Sequence, residues 1–508
     1  MAGIGFVLRE LDRRESVLGA ASSAGHGMIV AAGPWIFTVI SLALIHRGTS
    51  TVLSSEVSYN FRSFVMYAFA ISLLATAPVV NVSIRLASDD IYRRDFAHVR
   101  SRYVAAVLGS CLASGVTALG ILLLVFGLGA EPLLIGVGST VIVGLIWPTL
   151  AFCGAVRDYK GITSAFVLGM LISILGTIWI ARHQYGTPAM MMTFLVGLSV
   201  VFFGLASRIL IAFPNGAGTI GTQMMALIGG LRQNWMLAVG SFAAIAAIWA
   251  DKWVMWFGPD QVVLANGLAS APDYDGAMFL AYLVMIPALG LFVTAIETTF
   301  FEDSRRLLDA IHGRAPLGRI ERLSTQFEKR TYQTIYRVLM TLGALCALAI
   351  LLSPTIAPWL GLRYQQLGIF RLGILSAFFQ FIFLSASSII LFLDRQIRFC
   401  LLQVIFLCCQ IAFTLITIQM GHQYSGYGHL VACALSALVA MAVLDSTLTK
   451  IVYLTFASAL RRPAGRMIPV PARTPAVQPE ERPEEIDFDE EILLPVLPVI
   501  QQGPLLRP

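Results

Sequence analysis

Long apolar runs separated by short polar segments make up most of this chain of 508 residues. A helix needs roughly 20 apolar residues to cross about 30 Å of hydrocarbon, and twelve runs meet that length. Their approximate bounds are 20–45, 63–83, 103–126, 132–155, 162–181, 190–213, 235–257, 277–299, 335–359, 367–393, 399–420 and 429–454. The pattern predicts an all-α polytopic membrane protein with twelve transmembrane helices.

The order of the runs divides the chain into four predicted regions. Because many transporters consist of two repeats of several helices, we expect an N-terminal six-helix bundle at 1–213, a cytoplasmic linker at 214–233 and a C-terminal six-helix bundle at 234–460. Residues 461–508 are rich in proline and acid, so we predict a disordered cytoplasmic tail that buries too little apolar surface to fold alone. This tail is either simply solvated or a short docking motif for a cytosolic partner.

Composition and charge placement support a membrane protein and exclude a nucleic-acid-binding domain. The chain is 57% hydrophobic and only 13% charged, whereas soluble proteins are about 25% charged. Its net charge of +6 comes from alternate loops: 85–102 and 305–330 hold five and seven Lys or Arg, while 127–131 and 258–276 hold none. Since cytoplasmic loops are enriched in Lys and Arg, both termini are predicted to be cytoplasmic.

The sequence offers no sign of an enzyme, a metal site or a cofactor site. The seven cysteines lie in or beside apolar runs without metal-ligand spacing, so we expect them to be small buried hydrophobes. The longest loop on the outer side has about 19 residues, which leaves no room there for a catalytic domain. A transporter that uses no cofactor is therefore expected.

A few polar residues inside the spans are candidates for a transport path. Asp251 and Lys252 lie near the outer end of the seventh run, and Glu297 lies near the inner end of the eighth. Short carboxylates reach lipid headgroups poorly, so these acids face either a wet cavity or a buried local partner. Gln380 and Trp35 would suit a sugar, which forms hydrogen bonds with amides and stacks on aromatic rings. These five residues are the predicted substrate, cavity or gate residues.

The first predicted span contains Gly33 followed by Pro34. Proline in a helix interior lacks the N–H group and clashes with the carbonyl of the residue four positions earlier, at a cost of about 3 kcal/mol. In lipid the freed carbonyl needs a protein or water partner. The pair therefore predicts a bend that faces the bundle, either as a moving hinge or as a packing feature.

Two spans end in similar charged segments, SDDIYRR at 88–94 and FEDSRR at 301–306. Each places acids and then a pair of arginines beside the membrane: Arg93 with Arg94, and Arg305 with Arg306. We predict that they form a cytoplasmic rim, meeting an acidic partner or lipid phosphates. The likeness reflects either an internal repeat or helix capping combined with the orientation rule.

Four segments resemble the PelG family of inner-membrane transporters for Pel exopolysaccharide, a branch of the multidrug/oligosaccharidyl-lipid/polysaccharide flippase superfamily. They are MAGIGFVLRELDRRES at 1–16, AAGPWIFT at 31–38, ADKWVMWF at 250–257 and AIETTFFEDSRR at 295–306. The resemblance, which runs to about residue 460, implies two six-helix lobes around a central cavity that alternates between sides. Relatives often carry a further acid where Thr299 stands here, and this departure weakens any role of the patch around Glu297 in ion coupling.

The resemblance also implies a function and partners. The expected function is export of a nascent, N-acetylhexosamine-rich exopolysaccharide across the bacterial inner membrane to the periplasm during biofilm matrix production. Implied partners are the lipid bilayer, the polysaccharide, a cytosolic glycosyltransferase using a UDP-sugar, a membrane protein with tetratricopeptide repeats and a membrane receptor for cyclic-di-GMP. Since fold does not fix substrate, the alternatives are an ion-coupled multidrug or lipid-linked oligosaccharide exporter, a non-transporting scaffold for a synthase, and a polysaccharide polymerase.

Overall fold

A computed structural model describes residues 36–92, 96–156, 159–264 and 266–460. Most of the first predicted span, with Gly33, Pro34 and Trp35, lies outside these ranges, as do Arg93, Arg94 and the tail at 461–508. The helices in the described ranges are α1 (Ile36–Thr49), α2 (Ser55–Tyr92), α3 (Val99–Gly120), α4 (Ala130–Val156), α5 (Tyr159–Arg182), α6 (Gly186–Ala212), α7 (Ile220–Gln233), α8 (Trp235–Trp256), α9 (Pro272–Tyr282), α10 (Ile286–Ala295), α11 (Phe301–His312), α12 (Leu317–Trp359), α13 (Gln366–Phe392), α14 (Gln396–Met420), α15 (Tyr427–Leu448) and α16 (Ile451–Leu460).

Eleven helical stretches in the described ranges are long and apolar enough to cross a membrane. They correspond one to one with the second to twelfth predicted spans, and α1 carries the end of the first. The prediction of an all-α polytopic protein is therefore confirmed. A continuous apolar run predicts a helix, because lipid satisfies no backbone hydrogen bonds and the chain must form them within itself.

Several helices are much longer than their apolar runs. The helical stretch Pro272–His312 has 41 residues and α12 has 43. At 1.5 Å per residue each is about 60 Å long, roughly twice the hydrocarbon thickness. Hydropathy marks only the part of a helix that lipid surrounds, so it misses polar extensions such as α11 and the first half of α12.

A short β-hairpin lies in the loop between α8 and α9. Its strands Val262–Val263 and Ala269–Ser270 pair antiparallel. The hairpin lies at one end of the bundle, called here the loop end. The opposite end, which carries Arg85, Arg305, Arg330 and Asp394, is called the basic end.

Helices of each half pack mainly on one another, and the two halves meet along α2 and α8. Glycines allow the closest approach. At Gly197 of α6 an added Cβ would lie 2.3 Å from the carbonyl oxygen of Gly169 in α5 and 2.0 Å from Ser173 Oγ. Small residues at such crossings let membrane helices gain van der Waals contact without a hydrophobic driving force.

We predict that Gly197→Ala destabilises the fold, because its Cβ would overlap backbone atoms that cannot move independently of α5. Overpacking of this kind costs about 1–3 kcal/mol, and thermal unfolding of the detergent-solubilised protein would show a lower midpoint. Gly138→Ala in α4 is the matched control, since no heavy atom lies within 4 Å of its added Cβ. Equal midpoints for the two variants would contradict the close-packing explanation.

Candidate functional site

A buried ion pair lies near the end of α8, at the loop end of the bundle. Asp251 is fully buried, and both of its carboxylate oxygens lie 3.1 Å from Lys252 Nζ. The hydroxyl of Tyr274 in α9 donates a third hydrogen bond to the carboxylate at 2.9 Å. The carboxylate thus gains from protein groups the hydrogen bonds that it loses by leaving water.

The ion pair forms between neighbours in sequence, which do not normally face each other on a helix. The long lysine side chain turns back toward Asp251, and Nζ also lies 3.4 Å from the carbonyl oxygen of Ile248. The rings of Trp249 and Tyr282 lie 5.9 and 5.5 Å from the ammonium, within cation–π range. Of the two predicted environments for Asp251, the structure therefore shows a buried local pair.

His429 of α15 extends the polar cluster into two more helices. Its Nε2 lies 2.6 Å from the Tyr282 hydroxyl, which donates a hydrogen bond to Gln380 Oε1 in α13. Its Nδ1 lies 2.9 Å from Nε2 and 3.1 Å from Oε1 of Gln410 in α14, and 3.6 Å from an Asp251 oxygen. The amide can thus donate to a neutral imidazole or accept from a charged one without a large movement.

These side chains converge from five helices and form one connected cluster, called here the polar network. Its members are Asp251, Lys252, Tyr274, Tyr282, Gln380, Gln410 and His429. Apart from Lys252 and Tyr282, which are partly buried, all of them are buried. A network of this kind is stable inside a membrane protein because each polar group has a partner within the bundle.

At the loop end a second set of contacts joins α2 to the β-hairpin. The Tyr67 hydroxyl donates to the Ala269 carbonyl at 2.5 Å, and Tyr59 forms a hydrogen bond with Ser270. The Tyr67 ring also stacks on Trp256, with centroids 4.4 Å apart. We call these residues the aromatic clasp, since aromatic rings dominate the contact.

The buried carboxylate of Asp275 holds in place the clasp residues that come from the C-terminal half of the chain. It accepts hydrogen bonds from Trp256 Nε1 at 2.9 Å, from the Ala271 backbone N–H at 3.2 Å and from Ser270 Oγ at 3.4 Å. The same carboxylate thus orients both Trp256 and Ser270 toward α2. Asp275 lies in a segment that the sequence assigned to the outer loop.

At the basic end, an ion pair connects the two halves of the chain. Arg85 Nη1 and Nη2 lie 2.5 and 3.1 Å from the two carboxylate oxygens of Asp394. The arrangement is bidentate, which adds geometric specificity to the attraction. Asp394 lies between α13 and α14 with φ of 59°, a left-handed conformation that aspartate tolerates better than most residues. We call this contact the arginine–aspartate bridge.

The structure brings together some of the predicted site residues and separates others. Asp251, Lys252 and Gln380 join one network, whereas Glu297 lies in a π-helical turn, Ile296–Phe300, 15 residues beyond Tyr282. At 1.5 Å per residue that is about 22 Å along the helix. Glu297 is buried at the basic end of this stretch and belongs to a different part of the molecule.

The predicted arginine rim is described only in part. Arg305 and Arg306 are exposed on α11, where Arg305 lies 3.7 Å from Asp309 and Arg306 lies 3.7 Å from Asp303. Their counterparts Arg93 and Arg94 fall outside the described ranges, as do the predicted hinge and Trp35.

The sequence reasoning missed His429, Tyr274 and Tyr282. His429 was interpreted only as the first residue of the twelfth predicted span. A histidine within a membrane helix is, however, itself an indication of a functional site. The two tyrosines carried no such signal, because tyrosine is common where a helix meets the membrane surface. Among the described residues, no group of three or more His, Cys, Asp or Glu is placed to hold a metal ion.

Solved structures with the same fold are transporters. A mutant of the Vibrio cholerae MATE transporter VcmN matches at 10% identity with a TM-score of 0.59, covering 88% of this chain and 97% of that one. A MOP superfamily transporter from Pyrococcus furiosus matches at 15% identity with a TM-score of 0.57, covering 84% and 95%. An outward-facing multidrug resistance MATE transporter matches at 15% identity with a TM-score of 0.56, covering 84% of this chain and 96% of that one. At these identities the likeness establishes the fold alone.

Sequence comparison identifies the family. A search of curated protein sequences gave no match. The family model described as "PelG: Putative exopolysaccharide Exporter (EPS-E)" matches residues 1–456, a range that includes both halves and ends before the acidic tail. Family and fold together indicate a multi-pass membrane transporter rather than an enzyme. The chain belongs to the PelG family of exopolysaccharide exporters.

Proposed function

We propose that this protein moves a growing, Pel-like exopolysaccharide from the cytoplasm to the periplasm across the inner membrane, with both termini in the cytoplasm. The family and the transporter fold support an export role. Loops rich in Lys and Arg alternate with loops that hold neither, and this pattern supports a cytoplasmic orientation of the basic end. The polymer is proposed to be rich in N-acetylated hexosamines and to serve the biofilm matrix.

The observation that carries the proposal is the internal neutralisation of the polar network. Asp251 lies against Lys252, so the one carboxylate in the network is already paired with a cation of the same helix. A multidrug exporter of organic cations would instead need an unpaired acid in its path. The remaining groups, which are two amides, two phenols and the imidazole of His429, suit the hydroxyl and acetamido groups of a neutral sugar.

Passage of a polymer also requires that the two halves separate. They are joined at the loop end by the aromatic clasp and at the basic end by the arginine–aspartate bridge. We propose that these contacts are the outer and inner gates of the path. The protein is proposed to work with a cytosolic UDP-sugar glycosyltransferase, a tetratricopeptide-repeat membrane protein and a cyclic-di-GMP receptor.

Deleting the gene while the synthase stays active tests the export role directly. We expect polymer to accumulate in the cytoplasm, because synthesis continues while the route outward is lost. The measurement is immunodetection of polymer in cytoplasmic and extracellular fractions. Absence of polymer from both fractions would instead favour a scaffold required for synthesis, and efflux of small cations by the purified protein would favour a multidrug exporter.

Substitutions in the ion pair separate its structural role from its role in transport. Asp251→Asn and Lys252→Met each leave a buried charge without its partner, which typically costs about 3–5 kcal/mol. The double variant removes both charges, so it should regain most of the thermal stability while polymer secretion stays low. Recovery of wild-type secretion by the double variant would show that the pair serves stability alone.

The proposed inner gate is tested by Asp394→Asn, which keeps a residue that tolerates the left-handed backbone but removes the charge. Since exposed ion pairs contribute about 0–1 kcal/mol, we expect a small change in unfolding midpoint. Reactivity of a cysteine introduced nearby on α2 toward a membrane-impermeant thiol reagent, measured in inside-out vesicles, should rise. The control is Asp309→Asn, whose ion pair stays within one helix. Equal reactivity in both variants would argue against a gate.

A further inference from the structure

A helical hairpin extends from the basic end of the bundle. It consists of α11, the turn after it and the first part of α12, and residues 301–330 are called here the basic hairpin. The two helical stretches that contain it are each about 60 Å long, while the hydrocarbon is about 30 Å thick. A large part of both therefore projects beyond the membrane.

The basic hairpin is a packed unit and not two independent helices. Arg330 donates to Asp303 across the two helices at 2.7 Å. The rings of Phe300 and Phe327 lie 5.1 Å apart, and Leu307 is buried in the same interface. These contacts fix the two helices of the hairpin relative to each other.

The outer surface of the hairpin has a positive excess, since residues 301–330 contain seven Lys or Arg and five Asp or Glu. Its acidic residues are partly withdrawn from the surface, since Asp303 points toward Arg330. The exposed acids are Asp309 and Glu321, whereas two exposed leucines, Leu308 and Leu317, lie among the basic groups. The exposed basic residues are Arg305, Arg306, Arg314, Arg319, Arg322 and Lys329. This surface therefore fits an occupant that is acidic and carries some apolar side chains.

The chain contains a segment of this composition. Positions 480–491 hold eight acids, and the apolar stretch ILLPVLPVI follows at 492–500. The helix before this segment, α16, contacts α12, and its Leu454 carbonyl accepts a hydrogen bond from Arg395 at 3.2 Å. The chain therefore leaves the described part of the protein at the basic end, on the side where the hairpin projects.

The connecting segment is long enough to reach the hairpin. Positions 461–479 contain five prolines, and extended proline-rich chain advances about 3.1 Å per residue, so the segment spans up to roughly 60 Å. A tether of this kind gives an effective concentration near the millimolar range. Weak charge–charge contacts then suffice for substantial occupancy.

We propose that the acidic segment 480–491 docks on the basic hairpin of the same chain. The hairpin base lies beside the inner gate, because the Phe300 ring lies 5.0 Å from Phe392, two residues before Asp394. Docking would thus place a removable, salt-sensitive segment next to that gate. The proposal depends only on charge, reach and geometry, so it can fail while the export function stands.

Photo-cross-linking of the full-length protein tests this docking. Phe488, within the acidic segment, is replaced by photoreactive benzoylphenylalanine, and the protein is irradiated in uncharged detergent micelles. We expect cross-links within a single chain to residues 301–330, identified by peptide mass spectrometry. Because surface charges are screened with a Debye length near 3 Å at 1 M salt, the yield should fall in high salt.

Charge reversal supplies the decisive comparison. Arg319→Glu with Arg322→Glu should lower the cross-link yield by about fivefold or more, since two attractions become repulsions. Adding Glu484→Lys and Glu485→Lys should restore it. Arg232→Glu with Lys450→Glu, at exposed sites outside the hairpin, is the matched control and should change the yield by less than about twofold.

Three outcomes would overturn the proposal. The first is that cross-links form only between chains, and the second is that Arg319→Glu with Arg322→Glu leaves the cross-link yield unchanged. The third is that the cross-links disappear in vesicles containing anionic lipid. The third would identify lipid headgroups as the occupant of the hairpin. Gel filtration and an unchanged unfolding midpoint establish that each variant is folded before yields are compared.

Discussion

The need to give the buried charges of the polar network partners within the bundle governs the arrangement of the helices around it. Asp251 is fully buried in a helix that lipid and protein surround, where an isolated carboxylate would be prohibitively costly. Lys252, Tyr274 and the nearby His429 supply its electrostatic partners. Because these partners come from α8, α9 and α15, satisfying one carboxylate fixes the relative positions of three helices. The polar network is thus a packing constraint among these helices, and the recognition role proposed for it would use the same side chains.

The sequence predicts the helices well because hydropathy responds directly to the physical requirement of lipid burial. Eleven of the twelve predicted spans have a counterpart in the described residues. Hydropathy predicts helix ends poorly where polar residues continue a helix into water. Helix α12, for example, begins at Leu317 and not near residue 335. The apolar residues Ile320, Leu323 and Phe327 recur there at helical spacing, but a search for continuous apolar runs does not register such an amphipathic extension.

The candidate site is only partly predictable for a different reason. Asp251 and Lys252 are conspicuous because charge is rare in a span, and Gln380 is conspicuous as an amide at mid-membrane. Their association through Tyr282 and His429, which lie 147 positions apart, depends on the arrangement of helices in space. The contact between the Asp251 and Lys252 side chains is likewise hard to predict from sequence, because adjacent residues point in different directions from a helix. Only the long lysine side chain allows the ammonium to reach back to the carboxylate.

The contacts between the two halves differ in strength at the two ends. The aromatic clasp combines buried hydrogen bonds with a stacked Tyr67–Trp256 pair, which adds about 0.5–1.5 kcal/mol beyond the area that it buries. The arginine–aspartate bridge is bidentate, but its side chains are 34% and 40% exposed. Exposed pairs contribute about 0–1 kcal/mol and weaken in salt. Breaking the bridge therefore costs less than breaking the clasp.

This asymmetry has a consequence for the proposed direction of transport. We propose that, with no polymer bound, the clasp keeps the loop end together while thermal motion breaks the bridge more readily, so that the basic end would be the first to admit a chain. A polymer entering there would meet the amides and phenols of the network before it reached the clasp. Its hydrogen bonds with Gln380 and Tyr282 would compete with those that hold α9 and α13 together. Since α9 also carries Asp275, which orients Trp256 and Ser270, displacement of α9 would loosen the clasp and couple occupancy to opening on the far side.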